Sequence, residues 1–313
     1  MQLPLQRKLP RFEESKAAIH TLRDAIRHVS SRLHAGNVQL GQGTQSIHDE
    51  AVALVLWAVH LEPDTLDPYL NASLSHSEKE LIVEMTRLRA IDRIPLPYIT
   101  GEAWLAGLKF RSDARALIPR SPLAHLLLGQ GDGHLPLAHP VERILDLCTG
   151  SGCLAIAAAL AHPAAQVLAT DLSAPALELA RLNIADYQLQ DRIELRQGDG
   201  LAAVRNEKFD LVICNPPYVN AGSMARLPLE FQREPAVALA GGIDGMGFIA
   251  KMLMELPEAL SDNASLLMDI GHEADGFEAH FGDAFEWTYV EVPAGDRMVV
   301  LIEAQALRAW RNR

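Results

Sequence analysis

The stretch Arg143-Ile144-Leu145-Asp146-Leu147-Cys148-Thr149-Gly150-Ser151-Gly152-Cys153-Leu154-Ala155 decides the fold. Arg143 to Leu147 reads as a buried strand, and Leu154 to Ala161 as an alanine-rich helix. Between them, two glycines punctuate a tight turn. Strand, glycine turn and helix start together form a cradle for an adenosine-bearing ligand. Gly150 lets the chain turn sharply. Gly152 removes a side chain that would hold a ligand away from the backbone and from the first N–H groups of the helix. Ala155 completes a G-x-G-x-x-A pattern.

Working outward, Gln166 to Thr170 reads as a second strand. The Asp171 that follows it stands where a ribose-binding carboxylate belongs. This pattern suits a dinucleotide and S-adenosylmethionine equally, so the glycines do not choose between them. Ile193 to Gln197 reads as a third strand running into Gly198-Asp199-Gly200, and Phe209 to Cys214 as a fourth. Asp146, Asp171 and Asp199 therefore stand at the C-terminal ends of three consecutive parallel strands, the edge at which open α/β sheets bind ligands. The expected fold is α/β, a Rossmann-like sheet with a smaller helical domain before it.

The fourth strand ends in Asn215-Pro216-Pro217-Tyr218. An amide or exocyclic amine nitrogen is a poor nucleophile because its lone pair is delocalised. Two acceptors, the Asn215 side-chain oxygen and the Pro216 carbonyl, can hold both N–H groups and aim the nitrogen, and they favour the positive charge that develops on it. Pro216 and Pro217 have no backbone donors, and Pro217 confines Pro216 to extended conformations, so the segment is stiff. Tyr218 offers a flat ring on which a planar amide or base can lie.

The glycine turn and the Asn-Pro-Pro-Tyr segment together resemble the protein-glutamine N5-methyltransferases, a branch of the class I S-adenosylmethionine-dependent enzymes. Gly41-Gln42-Gly43-Thr44 followed by Asp49-Glu50-Ala51, the Ala103 to Gly107 hairpin, Pro119-Arg120-Ser121-Pro122, and Leu227 to Phe231 followed by Glu234-Pro235 are similar to the branch that modifies 50S ribosomal protein L-three. The resemblance spans nearly the whole chain. It implies S-adenosylmethionine as cofactor, with Gly150, Gly152 and Asp171 as contacts, Asp146 at its methionine end, Asp199 near its adenine, and Arg120 and Asn215 along the pocket. It also implies Asn215, Pro216, Pro217 and Tyr218 as the substrate-amide clamp. Where the family shows a glutamate and Gly-Asn-Ser, this chain reads Asp269-Ile270-Gly271-His272-Glu273, and near the end it reads Gly295-Asp296-Arg297-Met298. Those departures fall on the substrate-side wall. The family's other substrate, a release-factor glutamine, is the first alternative. A nucleic-acid adenine-N6 or guanine-N2 methyltransferase is the second, and a non-catalytic adenosine-ligand module the third.

Composition narrows the choice. A net charge of −12 opposes non-specific binding to a phosphate backbone and suits a basic protein partner, here a ribosomal protein, with no direct nucleic-acid readout. Three cysteines have neither zinc nor disulfide spacing, and the twelve histidines are scattered without ligand spacing, so no metal is expected. The longest apolar run, Ala51 to Val59, is too short to span a bilayer, and the basic start Met1 to Arg11 lacks a hydrophobic region, so a cytoplasmic protein with no membrane partner is expected.

Ile19, Leu22, Ile26, Val29 and Leu33 recur at helical spacing and predict a core stripe. Further helices are expected over Ile47 to Leu61 and Ser77 to Arg93. The expected division is a helical substrate-recognition domain over 1–97, a hairpin and linker over 98–139 with the flexible part at Gly129 to His139, and a catalytic domain over 140–313. Val219 to Gly247 is too long for an ordinary connection and is a candidate lid or substrate loop.

Overall fold

The computed structural model describes residues 16–63, 65–130, 137, 140–204, 206–292 and 295–313. The basic start and nearly all of the expected linker at 131–139 lie outside them. The chain divides into two compact units. One runs to Gly101 and takes in Pro228–Arg233, and the other comprises Glu102–Leu227 and Glu234–Arg313.

The helical unit is built on α1 (Leu22–Gly36), α2 (Ile47–Ala58) and α3 (His76–Ala90). Thr21 and Asp24 form a capping box at the start of α1, and Ser75 and Glu78 do the same for α3. The predicted stripe Ile19, Leu22, Ile26, Val29, Leu33 is buried, packed with Leu54, Val55 and Ile82. Helix α1 closes on Asn37 in the left-handed conformation, and Gly36 lies so close to α3 that a Cβ there would sit 2.9 Å from the Ala90 carbonyl. Both later helices stop three residues short of the predicted ends. Arg93, expected to finish α3, has a left-handed φ of 60° and sends its guanidinium to Glu230 and to the Gly36 and Asn37 carbonyls.

Glu50, Arg89 and Glu230 are almost fully buried in this unit. Arg89 donates to Glu50, to Glu230 at 3.3 Å and to the Gln39 carbonyl at 2.7 Å, while Arg93 reaches Glu230 at 2.9 Å. Glu230 also accepts from the Gln39 N–H at 3.0 Å. Each buried charge is thus matched by hydrogen bonds, the condition under which a buried ion pair is tolerated. The network explains why Pro228–Arg233 belongs with these helices.

The second unit opens with a hairpin, β1 (Glu102–Leu105) and β2 (Leu108–Arg111), where the sequence predicts one. Its seven-stranded sheet has the order β5-β4-β3-β6-β7-β9-β8, with β3 (Arg143–Leu147), β4 (Gln166–Asp171), β5 (Ile193–Gln197), β6 (Phe209–Cys214), β7 (Leu260–Asp269), β8 (Thr288–Val292) and β9 (Gly295–Glu303). Strands β3 to β7 pair in parallel, and β9 lies antiparallel between β7 and β8. Successive residues of β3 and β6 feed opposite cores. Ile144, Leu211 and Ile213 join one, and Leu145, Leu147, Phe209 and Val212 the other. Burial on both faces is why these strands read as continuous apolar runs rather than alternating ones.

Helices α4 (Cys153–Ala161) and α5 (Ala174–Asp186) follow β3 and β4, and α6 (Gly247–Glu255), α7 (Ala274–Phe281) and α8 (Ala304–Arg311) come later in the unit, which also holds short helices at Leu123–Leu127 and Ala221–Met224. The chain leaves β3 toward β4 on one side and later returns as β6 on the other. Strand order therefore reverses beside β3, which opens a crevice at the C-terminal strand ends. Among the described residues no helix is long and apolar enough to cross a membrane.

Candidate active site

A cavity of about 990 Å³, counted out to its open mouth, occupies that crevice. Its wall is assembled from the turns after β3, β4, β5 and β6, together with residues 115–121 and a segment from Pro235 to Ala238.

The turn after β3 alternates left-handed positions at Cys148 (φ 60°), Gly150 (56°) and Gly152 (80°). The Thr149 N–H donates to the Thr170 carbonyl at 3.0 Å and the Gly152 N–H to the Thr149 carbonyl at 2.9 Å, so the turn is stitched to β4 and to itself. Cys148 holds a conformation that ordinarily costs a non-glycine residue about 1–3 kcal/mol. The two glycines have different reasons to be there. A Cβ on Gly150 meets nothing within 4 Å, which leaves its backbone open to a ligand. A Cβ on Gly152 would lie 3.1 Å from that of Ala180 on α5. Gly152 is not part of the cavity wall, and the space its missing side chain leaves is used by helix packing.

The three predicted carboxylates share one sheet edge but not one environment. Asp146 is completely buried beneath the turn. Burial pushes its carboxyl up to about 7, against the Thr149 hydroxyl at 2.5 Å and the Ala155 N–H, which pull the other way. Among the described residues its Oδ1 has no hydrogen-bond partner, and neither does the buried Oγ of Ser151 on the cavity wall. The open Ser151 oxygen fits a polar ligand group bound in the cavity, whereas Asp146 lies behind the turn and off the cavity wall. Asp171 is half-buried and bridges two loops. Its Oδ2 accepts from the Gly150 N–H and its Oδ1 from the Ser173 N–H, both at 2.8 Å, while burial raises its pKa. Asp199 lies at the mouth, 61% exposed, paired with Lys251 at 3.1 Å. A Cβ on Gly200, at φ 55°, would meet the Phe248 ring at 3.7 Å, and Leu172 lies on the same wall.

Arg120 also lines the cavity, its Nη1 donating to both Glu234 oxygens at 2.9 and 2.8 Å. Glu234 is buried and accepts in addition from the Ile118 N–H at 3.0 Å. The next residue, Ser121, donates to Asp269 Oδ2 at 2.7 Å. The Pro-Arg-Ser-Pro segment is thereby fixed by two buried carboxylates.

Strand register sets Cys214 beside Leu147 on one side and Met268 on the other, so Asn215 leaves the sheet between the glycine turn and Asp269. Asn215 and Pro217 line the cavity, Pro216 is buried, and Tyr218 is half-buried away from the cavity wall, its ring lying over Gly271. The segment is braced from behind. The Val219 N–H donates to the Leu239 carbonyl at 2.8 Å, and the Gly241 N–H to the Val219 carbonyl at 2.9 Å. A Cβ on Gly241 would sit 2.8 Å from the Pro217 carbonyl, and one on Gly245 would overlap that of Tyr218. Gly241, Gly245 and Phe248 are site-building residues that motif reading passed over, and Glu234 and Gly271, quoted within motifs, were given no role there. The glycine density of Gly241 to Gly247 was the available signal. Burial holds Cys153 up to about 12 and Cys214 well above the ordinary thiol range, so both stay protonated and neither is a nucleophile.

Residues 133–242 match the family model described as methyltransferase small domain. The chain is 47% identical over 294 residues to the ribosomal protein uL3 glutamine methyltransferase of Bordetella pertussis, covering 93% of this chain and 98% of that one. It is 43% identical over 305 residues to the protein of the same name from Burkholderia pseudomallei, covering 94% and 98%. Among solved structures it is similar to a methyltransferase from Pyrococcus furiosus, 17% identical with a TM-score of 0.45 over 63% of this chain and 89% of that one. With near-complete coverage at such identity, this chain belongs to the ribosomal protein uL3 glutamine methyltransferase family.

Proposed function

We propose that the protein transfers a methyl group from S-adenosylmethionine to the side-chain N5 of a glutamine in the large-subunit ribosomal protein after which its relatives are named. What supports this most is that Asn215 stands on the wall of the same cavity as Gly150, Asp171 and Asp199. A nitrogen-aiming acceptor and an adenosine cradle therefore share one space.

S-adenosylmethionine, when bound, supplies a sulfonium methyl whose C–S bond breaks with its electron pair left on sulfur. Gly150, Asp171, Asp199 and Arg120 would hold it along the wall, with Ser151 offering its open oxygen and Asp146 supporting the glycine turn from behind. Asn215 Oδ1 and the Pro216 carbonyl accept the two N–H groups of the glutamine amide and turn its nitrogen toward the methyl carbon. As the N–C bond forms, the same oxygens stabilise the charge growing on nitrogen, and the surplus proton passes to solvent because an N-protonated amide is a strong acid. Holding donor and acceptor as a near-attack pair can lower the barrier by about 7–11 kcal/mol. No step calls on a metal or a general base.

The helical unit and the Val219 to Gly247 loop would grip the partner protein while its glutamine enters, and the net charge of −12 suits a basic partner. A ribosomal protein substrate puts the reaction in the cytoplasm. The test is incubation of the protein and S-adenosylmethionine with purified uL3, a release factor, and DNA or RNA, followed by peptide mass mapping. A single added methyl on a uL3 glutamine is expected. Methyl found instead on the release factor or on nucleic acid would overturn the reading.

A further inference from the structure

Strand β7 delivers a fourth carboxylate, Asp269, to the sheet edge next to Asn215. It is 2% exposed, and both oxygens are engaged: Oδ2 by the Ser121 hydroxyl at 2.7 Å, Oδ1 by the Gly271 N–H at 2.9 Å. The second bond folds Asp269 to Gly271 into a side-chain-closed turn, with Gly271 at φ 53°, a conformation glycine adopts freely. The turn is pinned further by the Ile270 N–H to the Met298 carbonyl at 2.8 Å and by the Glu273 N–H to the Ile270 carbonyl at 3.0 Å. Where a Gly271 side chain would be, the Tyr218 ring lies instead. A Cβ would come within 2.6 Å of its Cε2, Cζ and Oη. Asn220, two residues on, donates to Glu273 at 3.0 Å, so the chain beyond Tyr218 is fastened to the same turn.

We propose that Asp269 is a positioning residue for the reaction: by closing the Gly271 turn it forms the seat that fixes the Tyr218 ring, and through Ser121 it ties that seat to the Arg120 segment of the cavity wall. This rests on the reading of Tyr218 as the platform for the substrate amide. Asp269 touches no reacting atom. Its contribution is to give the ring a single resting place, since Tyr218 without a floor would be free to take other rotamers. The turn also gives a use to Asp269-Ile270-Gly271-His272-Glu273, the departure seen in the sequence.

The test uses the full chain labelled with 3-fluorotyrosine and read by fluorine NMR, with the Tyr218 resonance assigned by its loss in Tyr218→Phe. Of the five tyrosines, only Tyr218 should shift toward the free amino acid in Asp269→Ala and in Gly271→Ala. Asp269→Asn, which keeps an oxygen acceptor for the Gly271 N–H, should leave it in place. In Gly271→Ala, which keeps the Asp269–Ser121 bond, kcat should fall by about tenfold or more while cofactor Kd stays within about twofold, the pattern of lost transition-state positioning; in Asp269→Ala kcat should fall at least as far. The four other resonances report folding, and Ser121→Ala, a milder loosening of Asp269, should shift the Tyr218 signal in the same direction. An unmoved Tyr218 resonance in folded Asp269→Ala and Gly271→Ala overturns the seat. A moved resonance with unchanged kcat overturns the positioning role together with the platform reading of Tyr218, and leaves the Asn215 clamp standing. The resonance is read without turnover, so it is independent of whether uL3 is the substrate.

Discussion

The carboxylate of Asp171 accepts the Gly150 N–H at 2.8 Å through one oxygen and the Ser173 N–H at 2.8 Å through the other. One side chain thus sets the spacing between the turn after β3 and the start of α5, the two edges of the cavity. Asp171→Ala should weaken binding of S-adenosylhomocysteine by about tenfold or more, since it removes a ligand acceptor and unties the glycine turn at once. Titration calorimetry reads this directly, and wild-type affinity in a folded variant would remove Asp171 from the cofactor site.

Gly150 and Gly152 should separate in mutagenesis. Gly152→Ala places a methyl 3.1 Å from Ala180 in a left-handed residue and should destabilise the chain by about 1–3 kcal/mol in urea unfolding. Ala180→Gly should recover part of that loss by relieving the contact but not the φ. Gly150→Ala meets open space, so its damage should appear mainly in cofactor affinity.

Much of the catalytic sheet was legible because its signals are local. Strands β3, β4 and β6 are largely apolar runs, β4, β5 and β6 end at Asp171, Gly198 and Asn215, and the glycine turn announces the switch from strand to helix. Helix ends were less legible. Arg93 leaves α3 to reach Glu230, and no local periodicity reveals a partner so distant in sequence. The same blindness hid the membership of Pro228–Arg233 in the helical unit. In the site, Asn215 and Asp171, singled out by residue type and position, and Arg120, implied only by the resemblance, all line one cavity. Motif reading missed Gly241 and Gly245, and gave Gly271 no role, because their function is to have no side chain where another segment's backbone or ring must lie, a property visible only once the segments are brought together.

The buried ionic network of the helical unit gives a stability prediction. Removing one partner leaves the others charged and dry, so Glu230→Ala or Arg89→Ala should each cost about 3–5 kcal/mol in denaturant unfolding. The double variant should cost less than the sum of the two. Additive losses would mean that the two residues act separately.

Stability should also depend on pH through Asp146. Its folded value of about 7 lies above the ordinary 3.8, because burial disfavours the charged form. The folded chain therefore keeps a proton that the unfolded chain releases. This contribution is fully present below about pH 4 and is lost as pH rises through about 7. Asp146→Asn cannot titrate, so wild type minus variant unfolding free energy, measured in the absence of cofactor, should decline steadily across that window. A flat difference would contradict the assignment.

The central claim is that Asn215 aims a carboxamide nitrogen at a methyl carbon bound in the adjoining cradle. The most direct measurement is single-turnover methyl transfer to purified uL3 by Asn215→Ala, with S-adenosylhomocysteine affinity measured on the same preparation. The account predicts a loss in rate of about 10²–10³-fold, the scale seen when an electrostatic stabiliser is removed, with cofactor affinity nearly unchanged. Wild-type turnover in that variant would contradict it.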